Sequence, residues 1–450
     1  MSNRASQNEA SSLLSQLRDD LEAKKLDQSQ LADTLVRLKV LGRDASNVVA
    51  IYNESGMGVL GKYAFGNSPQ AIRHEALRCI ANALLLLAPT RQSSLKLELD
   101  RKATDALQNA NHDEEFLLAR ILFLLTYDPG IDLDGLILDH NLAGSIIKQL
   151  SQHAEEIQKI VPISPASTAA LVETLKLLFN VTNAETDQTA KFNTALIELF
   201  IILNHTDVPS PPLQPPISLL INAIANLEPN IELPEKEKES GVEKLMMILE
   251  HALEKYSPTE LDTISIPLLT VLRKMNEVAT PEIRGRMKER LLPNDRERDQ
   301  PLGQSSSLAS RLLRLTTSPG LLNLSKAVAG LMFELSDKDA NQYVRNVGYG
   351  YAAGYLMSHK IPIPESAKKS QTASGSSGEV PTNPITGQRL DKELAVDLPE
   401  MTREEKEREA ERLFVLFERL KATGVVDVKN PAEQARDERR IEELSDSDPD

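Results

Sequence analysis

Apolar residues recur at the spacing of an α-helix from about residue 10 to residue 360, and alternating, strand-like segments are nearly absent. Residues three, four and seven positions apart share one face of a helix, so each recurrence marks one buried stripe. Two of the stripes are Leu13, Leu14, Leu17 and Leu21, and Leu117, Ile121, Leu124 and Leu125. Breaks that contain proline or glycine, such as DPG at 128–130, separate the stripes. The pattern therefore predicts an all-α chain of many short helices.

Three of these helices end in a similar phrase, in which an asparagine follows a small or aromatic residue. The phrases are LRCIANALL (77–85), LKLLFNVT (175–182) and LINAIANLEP (220–229). Asn82 and Asn180 are 98 residues apart, and Asn180 and Asn226 are 46 apart, close to the roughly 40–47-residue period of armadillo and HEAT units. Such units cannot bury their apolar faces alone. We therefore expect an armadillo/HEAT-like superhelix of stacked helices over residues 1–360.

The composition changes after Pro364, where serine, glycine, threonine and proline become frequent. A segment this polar cannot bury a core, so we predict a flexible linker over 361–400. The next stretch, 401–424, begins with the capping-box pair Thr402 and Glu405 and ends at Gly424. We predict a separate amphipathic helix there, and an acidic, disordered tail over 425–450.

The predicted C-terminal helix has a narrow apolar stripe. It contains Leu413, Phe414, Leu416, Phe417 and Leu420. The helix either packs on its own solenoid as a cap or binds a partner in the helix-in-groove manner. We favour a partner role, because a plain cap would not need so long a linker.

The overall charge excludes several classes of partner. The formal net charge is −15, whereas nucleic acid and anionic membranes both require clustered Lys and Arg. A single cysteine, Cys79, excludes a disulfide framework and a cysteine-based zinc site, and fits a reducing compartment. No apolar run approaches the roughly 18 residues needed to span a bilayer. We expect a monomeric, cytoplasmic protein that neither binds nucleic acid nor inserts into a membrane.

The sequence VRNVGYGYAAGYL (344–356) has three closely spaced glycines, which raises the possibility of a phosphate loop. Such a loop follows a buried strand and, in the Walker type, ends in Lys-Ser/Thr, and neither feature is present. We interpret Gly350, Ala353 and Gly354 instead as the small face of a helix. That face would let a neighbouring backbone approach closely, with tyrosines packed around it.

No enzymatic constellation is visible. The seven histidines show no HExxH or H-x-H spacing, no G-x-S-x-G elbow occurs, and Cys79 lies on the apolar side of a helix. The many carboxylates fall on helix faces that we expect to be solvated. We therefore predict a protein without catalytic residues, cofactor or metal site.

The recurrent asparagines suggest a peptide-binding groove. An amide side chain on the inner helix of each layer can donate to and accept from the main chain of a bound segment. Each such bond contributes only about 0.5–1.5 kcal/mol net, so several are needed. The alternative is that the asparagines cap helical turns internally. The nearby basic residues either meet an acidic or carboxylate-terminated ligand or are ordinary surface charges; they are Lys39, Arg43, Arg78 and Arg120.

Taken together, several phrases resemble the synembryn family of chaperones and guanine nucleotide exchange factors for heterotrimeric G-protein alpha subunits. The GYG-AAG-L element, the NP-TG turn and the MT-E-K-E-A helix occur in the family's order, and the matches span nearly the whole chain. The matching phrases are KVLGRD (39–44), LRCIAN (77–82), RILFLLT (120–126), ETLKLLFNVT (173–182), PLLTVL (267–272), VRNVGYGYAAGYL (344–356), NPITG (383–387), MTREEKEREAERLFVLFERL (401–420) and SDSDPD (445–450).

The resemblance implies a superhelix that holds the C-terminal helix of the alpha subunit in its concave groove. The helix around Arg412, Phe414 and Phe417 would contact the GTPase domain near its switch region. The protein would stabilise the nucleotide-free subunit, so that GDP leaves and GTP enters. It would reach the cell cortex or plasma membrane through the alpha subunit. Candidate groove contacts are Lys39, Arg43, Asn82 and Arg120, with Asn180 and Asn226 following by the repeat argument.

Two alternatives to this function remain open. The first is a generic armadillo-type adaptor or transport receptor, although classical importers line their groove with tryptophan and this chain has none. The second, an enzyme, is the weakest. The sequence also departs from vertebrate-type members, because Lys368 and Lys369 stand where those carry an acidic, phosphorylatable cluster. Ser445 and Ser447, each with an aspartate three residues later, are candidate phosphorylation sites instead.

Overall fold

The computed structural model describes residues 2–44, 47, 49, 51–159, 162–184, 187–229, 233–363, 382–383, 385–393, 402, 408 and 412. Within these residues every regular element is a helix, and one isolated bridge joins Thr382 to Arg389. The prediction of an all-α chain is therefore confirmed. The chain divides into two units, Met1–Lys392 and Glu393–Asp450, and the account below concerns the first. None of its described helices is both long and apolar enough to cross a bilayer.

The described residues contain twenty α-helices. The first ten are α1 Ser2–Ala23, α2 Gln28–Leu41, α3 Glu54–Phe65, α4 Gln70–Leu86, α5 Pro89–Lys96, α6 Leu99–Leu107, α7 His112–Leu125, α8 Leu133–Leu138, α9 Leu142–Ile157 and α10 Pro165–Asn183. The others are α11 Ala195–His205, α12 Ile217–Asn226, α13 Glu235–Lys255, α14 Pro258–Ile264, α15 Ile266–Val278, α16 Pro281–Leu291, α17 Leu308–Thr316, α18 Leu322–Leu335, α19 Ala340–Val347 and α20 Tyr349–Ser358.

The helices pack as two stacks. In the first stack α2, α4, α7, α10, α12, α15 and α18 each contact the next, and in the second α1, α3, α6, α9, α11, α13 and α16 do the same. Contacts such as α6 with α7 and α9 with α10 join the stacks into layers. This is the helical-repeat arrangement that the periodicity predicted, in which each layer buries its apolar face against its neighbours.

Local signals explain where these helices start. Asn111 precedes α7, and its side-chain oxygen accepts a hydrogen bond from the backbone N–H of Glu114 at 3.1 Å. Ser164 caps α10 in the same way, and Pro165 occupies the first helical position. Such caps satisfy backbone donors that have no partner within the helix. The core between the helices is one continuous cluster, mainly of leucine, isoleucine and alanine.

The glycine-rich sequence lies at a helix junction. Gly348, with φ of +80°, ends α19 and precedes α20. The backbone N–H of Gly350 donates to the carbonyl oxygen of Ile385 at 3.1 Å, and a Cβ at Gly348 or Gly350 would lie 3.1 Å from that oxygen. No atom lies within 4 Å of a Cβ built on Gly354. The close backbone approach is therefore made at Gly348 and Gly350, and the assignment of Gly354 to it was wrong.

The segment that approaches these glycines belongs to the predicted linker. Its Thr386 carbonyl accepts from the backbone N–H of Leu302 at 3.0 Å. The buried guanidinium of Arg298 donates to the carbonyls of Gly387, at 3.1 Å, and of Arg345, at 2.9 Å. Burial lowers the pKa of Arg298. The stretch predicted as a linker therefore contains a docked segment, 385–392.

This junction gives a matched pair of substitutions. Gly348→Ala should lower the free energy of unfolding by about 1–3 kcal/mol, because a side chain is strained at a positive φ. Gly354→Ala lies in a helix with open space around it. It should raise the free energy of unfolding by roughly 0.5–1 kcal/mol. Urea unfolding followed by circular dichroism measures both, and equal effects of the two changes would contradict the positive φ of Gly348.

Candidate functional site

The seven residues predicted to line a groove all lie on or directly after helices of the first stack. Lys39 is on α2 and Arg43 follows it, Arg78 and Asn82 are on α4, and Arg120, Asn180 and Asn226 are on α7, α10 and α12. Because these five helices pack in consecutive pairs, the structure distributes the predicted contacts along one stack. It does not gather them at one point.

One carboxylate holds two of the predicted basic residues. Glu75 accepts hydrogen bonds from Lys39 Nζ and from Arg78 Nη1, each at 2.5 Å. Burial raises the pKa of Glu75, but the two cations outweigh burial and hold that pKa below its ordinary value. The three groups together carry one net positive charge, and they fix α2 against α4.

The next layer repeats this arrangement. Glu173 Oε1 on α10 accepts from Arg120 Nη1 at 3.2 Å and from Lys176 Nζ at 2.8 Å. Arg43 is exposed and forms no ion pair within the described part of the chain. Three of the four predicted basic residues are therefore partly neutralised by the fold, and Arg43 remains available to an acidic ligand.

Two of the predicted asparagines form hydrogen bonds between layers. Asn180 Nδ2 donates to Thr126 Oγ1 at 2.8 Å. Asn226 Nδ2 lies 3.2 Å from both the Phe179 carbonyl and Thr182 Oγ1, at the end of the preceding helix of the stack. The amide nitrogens of both asparagines are therefore used inside the protein, as in the alternative that the asparagines cap helical turns. In the case of Asn226, the capped turn belongs to a neighbouring helix. Among the described residues, half-buried Asn82 has no hydrogen-bond partner for its side chain.

The sequence analysis missed exposed apolar residues on the same helices. These side chains are 40% to 56% exposed, and they are Val36, Val40, Leu85, Leu86 and Tyr127. Val36, Val40 and Arg43 share one side of α2 and its end, and Asn82 shares one side of α4 with the two leucines. We call the surface formed by these seven residues the α2–α4–α7 face. The run ALLLLA at 83–88 was the available signal, because it is longer than one buried stripe needs.

Cations surround the aromatic end of this face. The Tyr127 ring stacks edge-on against Phe123, with ring centroids 5.3 Å apart. Arg91 Cζ lies 5.5 Å from the centroid of the Tyr127 ring, and Lys176 Nζ lies 5.9 Å from that of Phe123. Exposed apolar side chains beside fixed cations are typical of a surface that binds an amphipathic, partly acidic segment.

Most of the predicted C-terminal site lies outside the described residues. Arg408 and Arg412 are described as helical and exposed. The other predicted residues there lie outside, and their roles stay predictions; they are Leu413, Phe414, Phe417 and Leu420, and the serines Ser445 and Ser447.

One group of described side chains has the composition of a metal site, which the sequence analysis did not find. The group contains His112, Glu115 and His153, whose potential ligand atoms all lie within 4.8 Å of one another. Sequence spacing could not find it, because two of the residues lie on α7 and the third on α9.

Comparison with known proteins places this architecture in a family. A sequence profile described as "Guanine nucleotide exchange factor synembryn" (Ric8) matches residues 34–440. The chain is 34% identical over 181 residues to a synembryn-like chaperone of Schizosaccharomyces pombe, an alignment that covers 38% of this chain and 34% of that protein. It is 23% identical over 451 residues to "Chaperone Ric-8A" of Danio rerio, covering 87% of this chain and 81% of that protein.

Among solved structures, an engineered protein superimposes with a TM-score of 0.45 at 15% identity, over 83% of this chain and 80% of that one. The family assignment rests on the sequence profile, which extends from α2 through all the later helices of the first stack. This chain belongs to the synembryn family.

Proposed function

We propose that this protein is a folding chaperone and guanine nucleotide exchange factor for heterotrimeric G-protein alpha subunits. Its family is described by exchange, and the relatives given above are named chaperones. The single observation that carries the proposal is the α2–α4–α7 face, where exposed apolar side chains lie beside fixed cations. This face suits the amphipathic C-terminal helix of an alpha subunit.

In this proposal the apolar side of that helix packs against the two valines of α2, the two leucines of α4 and Tyr127. Its acidic groups or terminal carboxylate approach Arg43, the exposed cation without an ion pair in the described region. The net positive charge shared by Lys39, Arg78 and Glu75 adds attraction at longer range. Such charges contribute more to association rate and orientation than to affinity.

Exchange then follows from binding alone, without a bond-making step. A face that binds the C-terminal helix away from the alpha subunit's own core favours the form that holds nucleotide weakly. By linkage, GTP binding must weaken the complex by the same factor. A protein that holds the open, nucleotide-free form also holds a newly made subunit before it acquires nucleotide. Chaperoning and exchange are thus one property of the same complex.

The predicted helix 401–424 supplies a second contact, with the GTPase domain. The docked segment ends at Lys392, so eight residues, 393–400, separate it from Met401. This tether is shorter than the linker of about forty residues inferred from composition. A short tether raises the effective concentration of a second binding element once the first is bound.

Truncation after Glu400 separates the two contacts. The shortened protein should still capture a peptide of the alpha subunit's C-terminal helix, because the α2–α4–α7 face is intact, but it should no longer accelerate GDP release. Peptide binding measured by fluorescence anisotropy and release of labelled GDP from purified alpha subunit report the two properties. Equal loss of both would contradict the division. No acceleration by the full chain, even in large excess, would overturn the exchange function.

A second test compares Arg43→Ala with Arg286→Ala. Arg286 is also exposed, but it pairs with Glu239 on the second stack. Loss of Arg43 should weaken binding of the alpha-subunit peptide roughly threefold to tenfold, as expected for one ordinary hydrogen bond at an exposed site, and loss of Arg286 should have no effect. A basic localisation peptide serves as the competing ligand. Tighter binding of that peptide than of the alpha-subunit peptide would favour the transport-receptor alternative.

The asparagines allow binding and stability to be separated. Asn226→Ala should lower the free energy of unfolding by about 1 kcal/mol, because it removes the hydrogen bonds that join the end of α12 to Phe179 and Thr182 of α10. Asn82→Ala removes no hydrogen bond within the described residues, so it should leave unfolding unchanged and weaken the peptide severalfold. Urea unfolding and peptide anisotropy on both variants test this. A loss of stability for Asn82→Ala equal to that for Asn226→Ala would contradict the assignment of Asn82 to the binding face.

A further inference from the structure

Two imidazoles and two carboxylates meet where α7, α9 and α10 pack together, away from the α2–α4–α7 face. His112 and Glu115 lie in the first turn of α7, and His153 and Glu156 lie near the end of α9. The side chains of Glu115 and His153 are 0% and 4% exposed. A carboxylate so deeply buried is costly unless positive charge compensates it.

The hydrogen bonds fix which nitrogen of His153 faces the buried carboxylate. Ser167 Oγ donates to Glu156 Oε2 at 2.8 Å, so it can only accept from His153 Nδ1, at 3.2 Å. His153 Nδ1 therefore carries a proton. The other nitrogen, Nε2, lies 3.0 Å from each oxygen of Glu115.

His112 has the corresponding arrangement. Its Nε2 lies 2.8 Å from Glu156 Oε1 and must donate to it, whereas its Nδ1 faces Glu115 Oε2 at 3.3 Å. Both histidines thus direct their second nitrogen at the same buried carboxylate. These two nitrogens and a Glu115 oxygen lie within 4.8 Å of one another, close enough to share one cation.

The two imidazole rings are stacked, with centroids 5.0 Å apart. A divalent cation between their inward-facing nitrogens and Glu115 would compensate the buried carboxylate, which is costly to bury without positive charge.

The distances suit a transition-metal ion. Zn²⁺ binds imidazole nitrogen and carboxylate oxygen at about 2.0–2.2 Å with tetrahedral geometry, which places neighbouring ligand atoms roughly 3.3 Å apart. The separations between Glu115 and the two histidine nitrogens are 3.3 Å and 3.0 Å. The distance between the two inward-facing histidine nitrogens is at most 4.8 Å.

The surroundings have the arrangement that metal ligands usually have. Metal-binding histidines direct their other nitrogen at a carboxylate or another acceptor, and ligating carboxylates are themselves hydrogen-bonded. Here Glu156 and Ser167 accept from the outer nitrogens, and Thr174 Oγ1 donates to Glu115 Oε1 at 2.6 Å. The outer partners of all three candidate ligands are thus already in place.

We propose that His112, Glu115 and His153 bind one divalent transition-metal ion, Zn²⁺ being the best match to two imidazoles and one carboxylate. A water molecule completes the fourth position. The ion joins α7 of the first stack to α9 of the second, and it stabilises the folded chain because the unfolded chain lacks the site.

The test uses the full chain, stripped of metal by a chelator and then titrated with Zn²⁺ or Co²⁺. We expect one ion per chain by elemental mass spectrometry, and with Co²⁺ the intense visible absorption of a tetrahedral nitrogen–oxygen site. Glu115→Gln and His112→Asn should each weaken binding by at least about a hundredfold, as first-coordination-sphere changes exceed the 10–100-fold of outer ones. His140→Asn is the matched control, because His140 pairs with Asp105 at 2.8 Å outside the cluster.

Circular dichroism establishes that each variant is folded. Should Glu115→Gln fail to fold, the partly exposed His112 and the Co²⁺ spectrum of the unaltered chain still decide the question. Absence of that spectrum in the unaltered chain would overturn the proposal, and so would binding unchanged by either ligand substitution. Either result would show that the cluster is a hydrogen-bonded network without an ion.

Discussion

The contact between successive helix layers is the interaction on which the rest of the structure depends. No layer can bury its apolar side chains alone, so α7 packs between α4 and α10, and Leu118 and Leu122 are almost completely buried. Polar groups join the same boundaries. Lys39 donates to Glu75 between α2 and α4, and Lys274 donates to the Leu227 carbonyl between α15 and the end of α12, at 2.8 Å. Helix ends that would lack partners are satisfied from the next layer.

These boundary contacts are also what shapes the α2–α4–α7 face. Glu75 and Glu173 form ion pairs with three of the predicted basic side chains, which in the proposed function would reduce the side-chain entropy lost when a ligand binds beside them. In the proposed function, most substitutions along the first stack would therefore alter both stability and recognition. Arg43 and Asn82 would be the exceptions, because neither side chain has a hydrogen-bond or ion-pair partner among the described residues.

The sequence predicted what depends on local spacing and missed what depends on distant partners. Helical periodicity and the recurrent asparagines indicated stacked layers, since both lie within single helices. The partner of Asn226 could not be inferred, because it is a carbonyl at the end of another helix, 47 residues away. The small residues Gly350, Ala353 and Gly354 indicated a close backbone approach, which the structure places at Gly348 and Gly350, but the approaching segment, at 385–387, comes much later in the chain. The cluster around Glu115 combines side chains from three helices, which no single motif records.

The layered construction bears on how binding energy reaches a partner. A helix bound across α2, α4 and α7 would contact three layers at once. If those layers could bend relative to one another, the solenoid would deform on binding and the partner would keep its shape. Stiff boundaries are therefore required if binding is to distort another folded protein. The ion pair at Glu75 joins α4 to α2, and the ion pair at Glu173 joins α10 to α7. The cluster around Glu115 joins the opposite end of α7 to the second stack, and a divalent ion there would stiffen the layer that contains α7 and α9.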